Sequence, residues 1–437
     1  MFFRAGTKTG AKVQPLLICF IQSITELLHF VKVPNNMKTQ LCLLSGELMP
    51  NVIGVLHERP ERVIPVVTSQ SARQVEHLEA ALRAAGCVAS LQDPVTVLPY
   101  DLADCGKAIG NAVSLINDLT INWTGGTKIM SYAARRIAET KPARAIYVNT
   151  TDRELLIEDN SQASPVRSEL LDSARLGINN LVHILAAGHK VECGSSLAEF
   201  RTAHTPAPEL QTAAVRIVDS PNFYWPDLFR LSEAVDKPVT PRKLPLEFIH
   251  VLEAAKIIQK AGQPGDYILN NESLGRPFHR NTTQEENSKF IRGGYLEVFL
   301  WSQLKSRGAF DDVAWHVRLN PGQRGRGAEL DVAVASDGRF VIVESKGRVE
   351  LGERGGKLAD LIEEQYARTR RVGRLFGQWV LYIHQFRAEF DAPNARAIIT
   401  SQEERARDFG GHLLWHDNLV DFPVLVGGFL NEGKAPL

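Results

Sequence analysis

The sequence has no excess of charge of either sign, because 50 lysines and arginines balance 50 aspartates and glutamates. A site for nucleic acid or another anion must therefore come from local clusters, and overall charge identifies no partner. Only five cysteines are present, no two form a CxxC pair, and none follows Cys193. This spacing excludes a zinc ribbon and a disulfide framework, and we expect a protein of the reducing cytoplasm.

The sequence also lacks a long uninterrupted apolar run. The one signal-like stretch, Val13 to Val31, is broken by polar residues and has no small-residue cleavage site. We therefore expect neither a signal peptide nor a membrane span. With 44% hydrophobic and 23% charged residues, the composition is that of a globular protein, and 437 residues predict two or three domains.

Residues 1–36 match neither a strand nor a capped helix of the fold that follows, whereas a strand pattern begins directly after Met37. We interpret residues 1–36 as an N-terminal extension and Met37 as a candidate start of translation. The alternative is an accessory helix around Leu16 to Phe30. The sequence leaves both open.

From residue 41 onward, short apolar runs alternate with amphipathic stretches. Strands are predicted at Leu41–Leu44, Val63–Thr68, Leu119–Trp123 and Ala145–Val148, and helices at Ser71–Ala85 and Ile129–Thr140. This alternation predicts a parallel α/β sheet. Ligands of such sheets bind beyond the carboxyl ends of the strands, so the residues that follow each run are the candidate binding residues.

The segment NWTGGTK, from Asn122 to Lys128, follows one of these runs. Its glycines let backbone N–H groups approach a ligand, and the next helix presents its positive end. Thr127 and Lys128 add a hydroxyl and a cation, so the segment resembles an anion cradle. It is neither GxxxxGK[ST] nor GxGxxG, which disfavours a P-loop nucleotidase and a dinucleotide dehydrogenase. A purely structural Gly-Gly turn with an N-cap threonine is the alternative.

Together with LCLLSGELMPN at 41–51 and the strand ending at Ser69, this segment resembles the CRISPR-associated Rossmann fold (CARF) domain, which senses cyclic oligoadenylates in type III CRISPR immunity. The resemblance covers roughly residues 38–155, within a predicted domain of 37–158. It implies a homodimer that binds one ring-shaped activator, with cyclic tetra-adenylate favoured. The ligand-binding residues that it implies are Ser45, Gly46, Glu47, Ser69, Asn122, Thr124, Gly125, Gly126, Thr127 and Lys128.

Residues 159–285 mix helical patterns with proline-rich stretches, and we predict a helical connector there. The clearest helical patterns are Pro165–Ala187 and Leu246–Gln259. The histidines of this region have no spacing typical of a metal site.

Acidic residues and a lysine converge beyond the connector. GGYLE at 293–297 opens a helix with Glu297 near the edge of its apolar face. The next strand carries Asp331, and a turn leads into Phe340–Lys346, where a period of two puts Glu344 and Lys346 on one face. Asp331, Glu344 and Lys346 are therefore expected at one end of a hairpin.

Such a set suits phosphodiester cleavage, because clustered carboxylates repel each other and a hard divalent cation relieves that repulsion. The cation polarises a phosphoryl oxygen and activates water, while a lysine orients that water or neutralises developing charge. A bare ExK is also typical of a solvated ion pair, but the acids upstream favour the catalytic interpretation.

The arrangement E…ELD…ESK resembles the PD-(D/E)xK nuclease superfamily, which implies a restriction-endonuclease-like α/β domain over 286–437. The resemblance implies that Glu297, Asp331 and Glu344 bind Mn²⁺ or Mg²⁺ and that Lys346 is the catalytic lysine. Leu330 stands where the superfamily name has proline. Arginines near this site either track a phosphate backbone or form a solvated face; they are Arg318, Arg324, Arg326, Arg348, Arg354, Arg368, Arg370, Arg371 and Arg374.

The sequence thus predicts a cytoplasmic homodimer with no membrane contact, a cyclic oligoadenylate-activated, metal-dependent endonuclease that cleaves DNA or RNA in antiviral defence. One alternative is a sensor whose nuclease-like domain is idle and only holds nucleic acid. A second is a restriction or repair nuclease that no cyclic nucleotide controls.

Overall fold

The computed structural model describes residues 37–149, 154–159, 166–194, 196–219, 225–235, 237–270, 283–307, 310–320, 327–336, 338–351, 355–374, 377–390 and 392–432. The predictions about residues 1–36 lie outside the described residues. No helix in these ranges is long and apolar enough to cross a membrane.

The N-terminal elements form one sheet with helices on both faces. They are β1 (Thr39–Leu43), α1 (Met49–Glu58), β2 (Arg62–Val67), α2 (Gln74–Ala84), β3 (Ser90–Leu91), β4 (Val95–Thr96), α3 (Leu102–Val113), β5 (Leu119–Asn122), α4 (Lys128–Thr140), β6 (Ala143–Asn149), β7 (Glu154–Asp159) and β8 (Val166–Leu170). Within the described ranges the strand order is β3-β2-β1-β5-β6-β7-β8, and β4 also pairs with β2. The predicted parallel α/β sheet is confirmed.

The central strand β1 is buried along its whole length and pairs in parallel with β2 and β5. Apolar side chains on both faces of a strand are expected where helices cover both faces of the sheet. Helices α1 and α2 supply the core on one face, and α3 and α4 supply it on the other. The chain therefore buries β1 in the middle of three layers.

The sheet continues past the predicted boundary at residue 158. Strand β7 pairs antiparallel with β6, and β8 pairs antiparallel with β7. The sequence pattern had suggested a helix from Pro165, but two short helices follow only after β8: α5 (Ser173–Leu176) and α6 (Asn180–Ala186). Because β8 is an edge strand and largely exposed, it lacks the apolar alternation that identifies a half-buried strand.

From residue 196 onward, the described part of the predicted connector (159–285) is largely helical, with one two-stranded ribbon. Its elements are α7 (Leu197–Ala203), α8 (Pro208–Val218), α9 (Trp225–Ser232), α10 (Leu246–Ala254), β9 (Ile258–Lys260), β10 (Tyr267–Leu269) and α11 (Thr283–Lys289). Side chains of α8 and α10, including Leu210 and Phe248, lie in the same core as the C-terminal sheet. These helices therefore pack as part of the C-terminal half.

The C-terminal half is a second α/β unit. A kink at Gly293, within Phe290–Gly294, separates α11 from α12 (Tyr295–Ser306). The elements that follow are β11 (Asp312–Leu319), β12 (Ala328–Ser336), β13 (Arg339–Lys346), α13 (Gly356–Val372), β14 (Gly377–Ile383), α14 (Pro393–Asp408), β15 (Gly411–Trp415) and α15 (Phe422–Glu432). The strands follow chain order from β11 to β15. β11, β12 and β13 are antiparallel, and β13, β14 and β15 are parallel. The predicted fold class, an N-terminal Rossmann-like domain followed by a second α/β domain, is confirmed.

Candidate functional site

Ser45 to Glu47, Ser69 and the segment 124–128 all lie at one edge of the N-terminal sheet. They follow β1, β2 and β5, which are parallel neighbours, so their carboxyl ends meet there. Ser69 is exposed, and Gly46 has open space where a side chain would stand. The structure thus brings the predicted ligand-binding residues to a common rim.

Both glycines of the Gly-Gly loop are required by its geometry. A Cβ atom on Gly125 would lie 2.0 Å from the carbonyl oxygen of Leu43, so only glycine lets the loop pack on β1. Gly126 has φ +76°, a left-handed conformation that glycine adopts without strain. The loop is therefore held close to the end of β1.

Asn122 and Thr124 shape this loop from within. Asn122 is fully buried, and its Nδ2 donates to the carbonyl oxygen of Pro50 at 3.0 Å. Its Oδ1 accepts from Thr124 N at 3.1 Å and from Thr124 Oγ1 at 2.8 Å. Thr124 Oγ1 in turn accepts from Val148 N at 2.8 Å. These polar groups bond to the protein itself, so both residues position the loop.

Thr127 caps α4, and Lys128 begins it. Thr127 Oγ1 accepts from Met130 N at 3.2 Å and donates to the carbonyl oxygen of Pro99 at 2.5 Å. Lys128 is exposed at the helix N-terminus, where backbone N–H groups and the helix dipole favour an anion. The rim therefore presents the exposed cation of Lys128 and the positive end of a 13-residue helix.

Three further residues of this rim were not identified from the sequence. Tyr100 is 81% exposed and adjoins Pro99, while Tyr132 is 54% exposed on the first turns of α4. Asn51 is buried, and its Nδ2 donates to the carbonyl oxygen of Leu43 at 3.0 Å. Single aromatic or amide residues carry no periodic signal, so a pattern search does not find them.

The second group of predicted residues converges at the β12–β13 hairpin. The last pair of this ladder at that end is Val332 with Val343, which leaves Asp331 and Glu344 just beyond it. Asp331 Oδ2 accepts from the backbone N of Ser345 at 2.8 Å and from its Oγ at 3.1 Å. The hairpin register therefore holds Asp331 beside the start of the ESK segment, as predicted.

Glu344 is 5% exposed, and each of its carboxylate oxygens contacts a cation. Lys346 Nζ donates to Oε1 at 2.7 Å, and Arg368 Nη1 on α13 donates to Oε2 at 2.5 Å. A buried carboxylate needs such partners because its charge has lost most of its hydration. Arg368 belongs to the arginine group for which the sequence left a solvated face open, and it lies inside this site.

The charges of the site are electrostatically coupled. Burial raises the pKa of Asp331 well above its ordinary value, and the nearby carboxylates of Glu297 and Glu344 raise it further. Burial alone lowers the pKa of Lys346, but the interaction with Glu344 outweighs it, so the pKa of this lysine is raised. Lys346 therefore stays a cation in a pocket whose acids repel each other.

Glu297 reaches the same region from α12 and contacts a residue that sequence reasoning missed. His316 Nδ1 lies 3.2 Å from Glu297 Oε2 and 3.4 Å from Glu329 Oε1. His316 has φ +52°, so β11 is locally distorted where it passes these acids. A lone histidine in a strand gives no sequence signal for this role.

A cavity of about 640 Å³ opens between this hairpin and α13. Asp331, Glu344 and Lys346 line it, and Glu297 does not. The other lining residues are Gly327, Ala328, Glu329, Glu364, Ala367, Arg368 and Arg371. Of the arginines predicted nearest the site, Arg324, Arg326 and Arg354 lie outside the described residues, and Arg318 Nε donates to Glu329 Oε2 at 3.3 Å.

The carboxylates suit a hard divalent cation in chemistry, because they offer oxygen donors and repel each other without one. Across the described ranges, however, no group of three or more His, Cys, Asp or Glu side chains is arranged to hold a metal ion. Lys346 and Arg368 engage the two carboxylate oxygens of Glu344. The predicted metal site stays a prediction.

The N-terminal half is similar in sequence to a known family. Residues 39–171 match the family described as Card1 CARF domain. The N-terminal domain has the CARF fold. The matched range ends directly after β8, in agreement with the extent of the sheet.

Several solved structures resemble most of the chain. Can2 from Sulfobacillus thermosulfidooxidans in complex with cyclic tetra-adenylate has a TM-score of 0.59 and 19% identity, over 91% of this chain and 97% of that one. Protein VC1899 from Vibrio cholerae has a TM-score of 0.65 and 16% identity, over 90% and 98%. A type III CRISPR defence DNA nuclease activated by cyclic oligoadenylate has a TM-score of 0.53 and 16% identity, over 87% of this chain and 54% of that one.

At these identities the likeness establishes the shared fold. No curated protein matches the chain.

Proposed function

We propose that this protein is a metal-dependent endonuclease that cyclic oligoadenylate activates, with cyclic tetra-adenylate as the activator, in type III CRISPR antiviral defence. The observation that carries the proposal is the presence, in one chain, of a CARF fold and of the Asp331, Glu344 and Lys346 set at a hairpin end. A sensor fold and a phosphodiesterase-type site in one chain suit a ligand-controlled nuclease.

The rim of the CARF domain has the features that a cyclic oligonucleotide needs. Lys128 and the N-terminus of α4 complement phosphate groups, and the open space at Gly46 admits close approach. The exposed ring of Tyr100 offers a face on which a base can stack. A two-fold homodimer would present two copies of this rim to a ring that itself has rotational symmetry.

At the second site, the chain's own residues arrange charge around the cavity. Ser345 orients Asp331 through two hydrogen bonds, and Glu344 holds Lys346 as a cation at the cavity wall. Lys346 can there neutralise charge that develops on a phosphodiester. Mn²⁺ or Mg²⁺ held by Asp331 and Glu344, with Glu297 behind them, would polarise the phosphoryl oxygen and lower the pKa of attacking water when bound.

The resemblance to solved structures supports this assignment at the level of the fold. One of them is described as binding cyclic tetra-adenylate, and another as a DNA nuclease activated by cyclic oligoadenylate. For this chain, the nucleic acid substrate is DNA or RNA.

The test is cleavage of labelled single- and double-stranded DNA and RNA by the full chain, with and without cyclic tetra-adenylate and with Mn²⁺, Mg²⁺ or a chelator. We expect cleavage only when both the activator and a divalent metal are present. Cleavage that ignores the activator would indicate an uncontrolled restriction or repair nuclease. Binding without cleavage under all conditions would indicate an idle nuclease-like domain.

A further inference from the structure

Arg368 lines the cavity beside the carboxylates, and neither the CARF-like motif nor the nuclease-like motif accounts for its contacts there. Its Nη1 donates to Glu344 Oε2 and, at 3.2 Å, to the carbonyl oxygen of Glu329. Its Nη2 donates to Glu364 Oε1 at 2.8 Å. The side chain is only 15% exposed. Its guanidinium thus links α13 to the ends of β12 and β13.

The contact with Glu344 has a consequence for metal binding. Lys346 already engages Oε1, so Oε2 is the oxygen of Glu344 that Arg368 withholds from any other cation. A divalent ion that binds Asp331 and Glu344 competes with Arg368 for this oxygen, because Mg²⁺ and Mn²⁺ bind through oxygen ligands. Two positive charges also repel each other at such short range.

We propose that Arg368 is a built-in competitor of the divalent cation, which neutralises Glu344 in the metal-free protein and must leave Oε2 when the metal binds. The proposal rests on the proposed nuclease function, and it concerns the affinity of the site for metal.

Glu364 can hold the guanidinium of Arg368 after it leaves Glu344. It lies one helical turn before Arg368 on α13, its side chain is 59% exposed, and it already accepts the second nitrogen. Held there, Arg368 stays at the cavity and presents a planar fork of donors suited to a phosphodiester. A phosphate group of the substrate that engages this fork draws Arg368 away from Glu344. By linkage, nucleic acid and metal then strengthen each other's binding.

Arg371 provides a matched control on the same helix. It is exposed, it lines the same cavity, and the hydrogen bonds that hold Glu344 come from Arg368 and Lys346. Arg371→Gln therefore removes the same charge from the same cavity while it leaves the contact with Glu344 in place.

The experiment measures Mn²⁺ binding by electron paramagnetic resonance on the full chain, without nucleic acid. Arg368→Gln should bind Mn²⁺ about tenfold more tightly than the parent, as expected when one charge-assisted hydrogen bond no longer opposes binding. Arg371→Gln should change the affinity by less than about twofold, as is usual for exposed charges. A non-hydrolysable phosphorothioate oligonucleotide should tighten Mn²⁺ binding in the parent and not in Arg368→Gln.

An unchanged or weaker affinity in Arg368→Gln, or an equal gain in Arg371→Gln, would overturn the role of Arg368 and leave the nuclease proposal standing. Absence of Mn²⁺ binding in the parent and in Arg368→Gln alike would overturn the metal site, and the competition with it. If Arg368→Gln does not fold, Arg368→Lys serves in its place. Arg368→Lys keeps the positive charge and loses the planar fork of donors, so it should bind Mn²⁺ more tightly than the parent, by less than about tenfold. An affinity equal to that of the parent would contradict the proposal.

Discussion

The two candidate sites both lie at strand ends, yet their polar side chains differ in the groups to which they bond. At the CARF rim, Asn122, Thr124 and Thr127 bond to neighbouring backbone and to each other, and Lys128 is exposed to solvent. At the hairpin site, the charges of Glu344, Lys346 and Arg368 bond directly to one another. The first site is defined by the shape of a loop, whereas the second is defined by its charges.

This difference separates the effects that substitutions should have. Loss of a charge at the hairpin site should strongly reduce the rate of cleavage. Loss of a charge at the rim should weaken ligand binding by the free energy of one contact. The following predictions test that contrast from its largest expected effect to its smallest.

Glu344→Gln or Lys346→Ala should lower cleavage by about 100-fold or more, because each removes a charge in contact with the reacting region. Binding of cyclic tetra-adenylate should not change, since the CARF rim is a separate site. Cleavage kinetics and calorimetry on the same preparations measure the two effects.

A surface ion pair of the same C-terminal half, Glu350 with Lys357, provides the control. Glu350→Gln and Lys357→Ala should leave cleavage within about twofold, as is usual for exposed pairs. Near-normal cleavage by both Glu344→Gln and Lys346→Ala would contradict the assignment of the site.

Buried histidines and the paired histidine His57 should respond in opposite ways to acid. Burial lowers the pKa of His183 to about 3 and that of His384 to about 4. In the CARF domain, a hydrogen bond to Glu58 outweighs burial and raises the pKa of His57. A histidine whose pKa is lowered by folding destabilises the folded state once the pH falls below the pKa that this histidine has in the unfolded chain. A histidine whose pKa is raised by folding stabilises the folded state at low pH.

Each strongly buried histidine should therefore cost about 2 kcal/mol when the pH falls from about 6.5 to about 5. Urea unfolding followed by tryptophan fluorescence reports mainly on the second half, which contains Trp225, Trp301, Trp315, Trp379 and Trp415. His183→Phe should reduce the acid sensitivity of this transition, whatever its effect at neutral pH. An unchanged pH dependence would show that His183 is protonated without cost in the folded protein.

The sequence predicted the alternation of strands and helices and the convergence of Asp331, Glu344 and Lys346, because both follow from the periodicity of side chains along a strand. It missed the strand Val166–Leu170, whose exposed edge carries no apolar alternation. It also missed the contacts of Arg368 and His316 with the acids, which join residues 24 and 19 positions apart in the chain. Such contacts depend on how a helix and a distorted strand pack, and no local pattern encodes them.

Lys128→Ala should weaken cyclic tetra-adenylate binding by about tenfold, the value of one charge-assisted hydrogen bond. Activation should require correspondingly more ligand, while the nuclease site itself is unchanged. Lys107→Ala, which removes an exposed lysine from α3 of the same domain, is the control. Titration calorimetry that gives equal affinities for Lys128→Ala and the parent would contradict the role of the rim.

The smallest effect is expected from a protein that starts at Met37. The first described strand begins at Thr39, and Lys38 and Thr39 already bond to the domain: Lys38 N donates to Glu61 Oε1 at 3.2 Å and Thr39 N to the carbonyl oxygen of Asp118 at 2.9 Å. β1 is buried by the two helical layers over 39–43, so its packing is provided by residues after Met37. The shortened protein should therefore unfold at the same temperature as the full chain, elute at the same size and bind cyclic tetra-adenylate equally well. Differential scanning calorimetry, size-exclusion chromatography with light scattering and ligand titration measure the three properties, and a loss of any one would assign a structural role to residues 1–36.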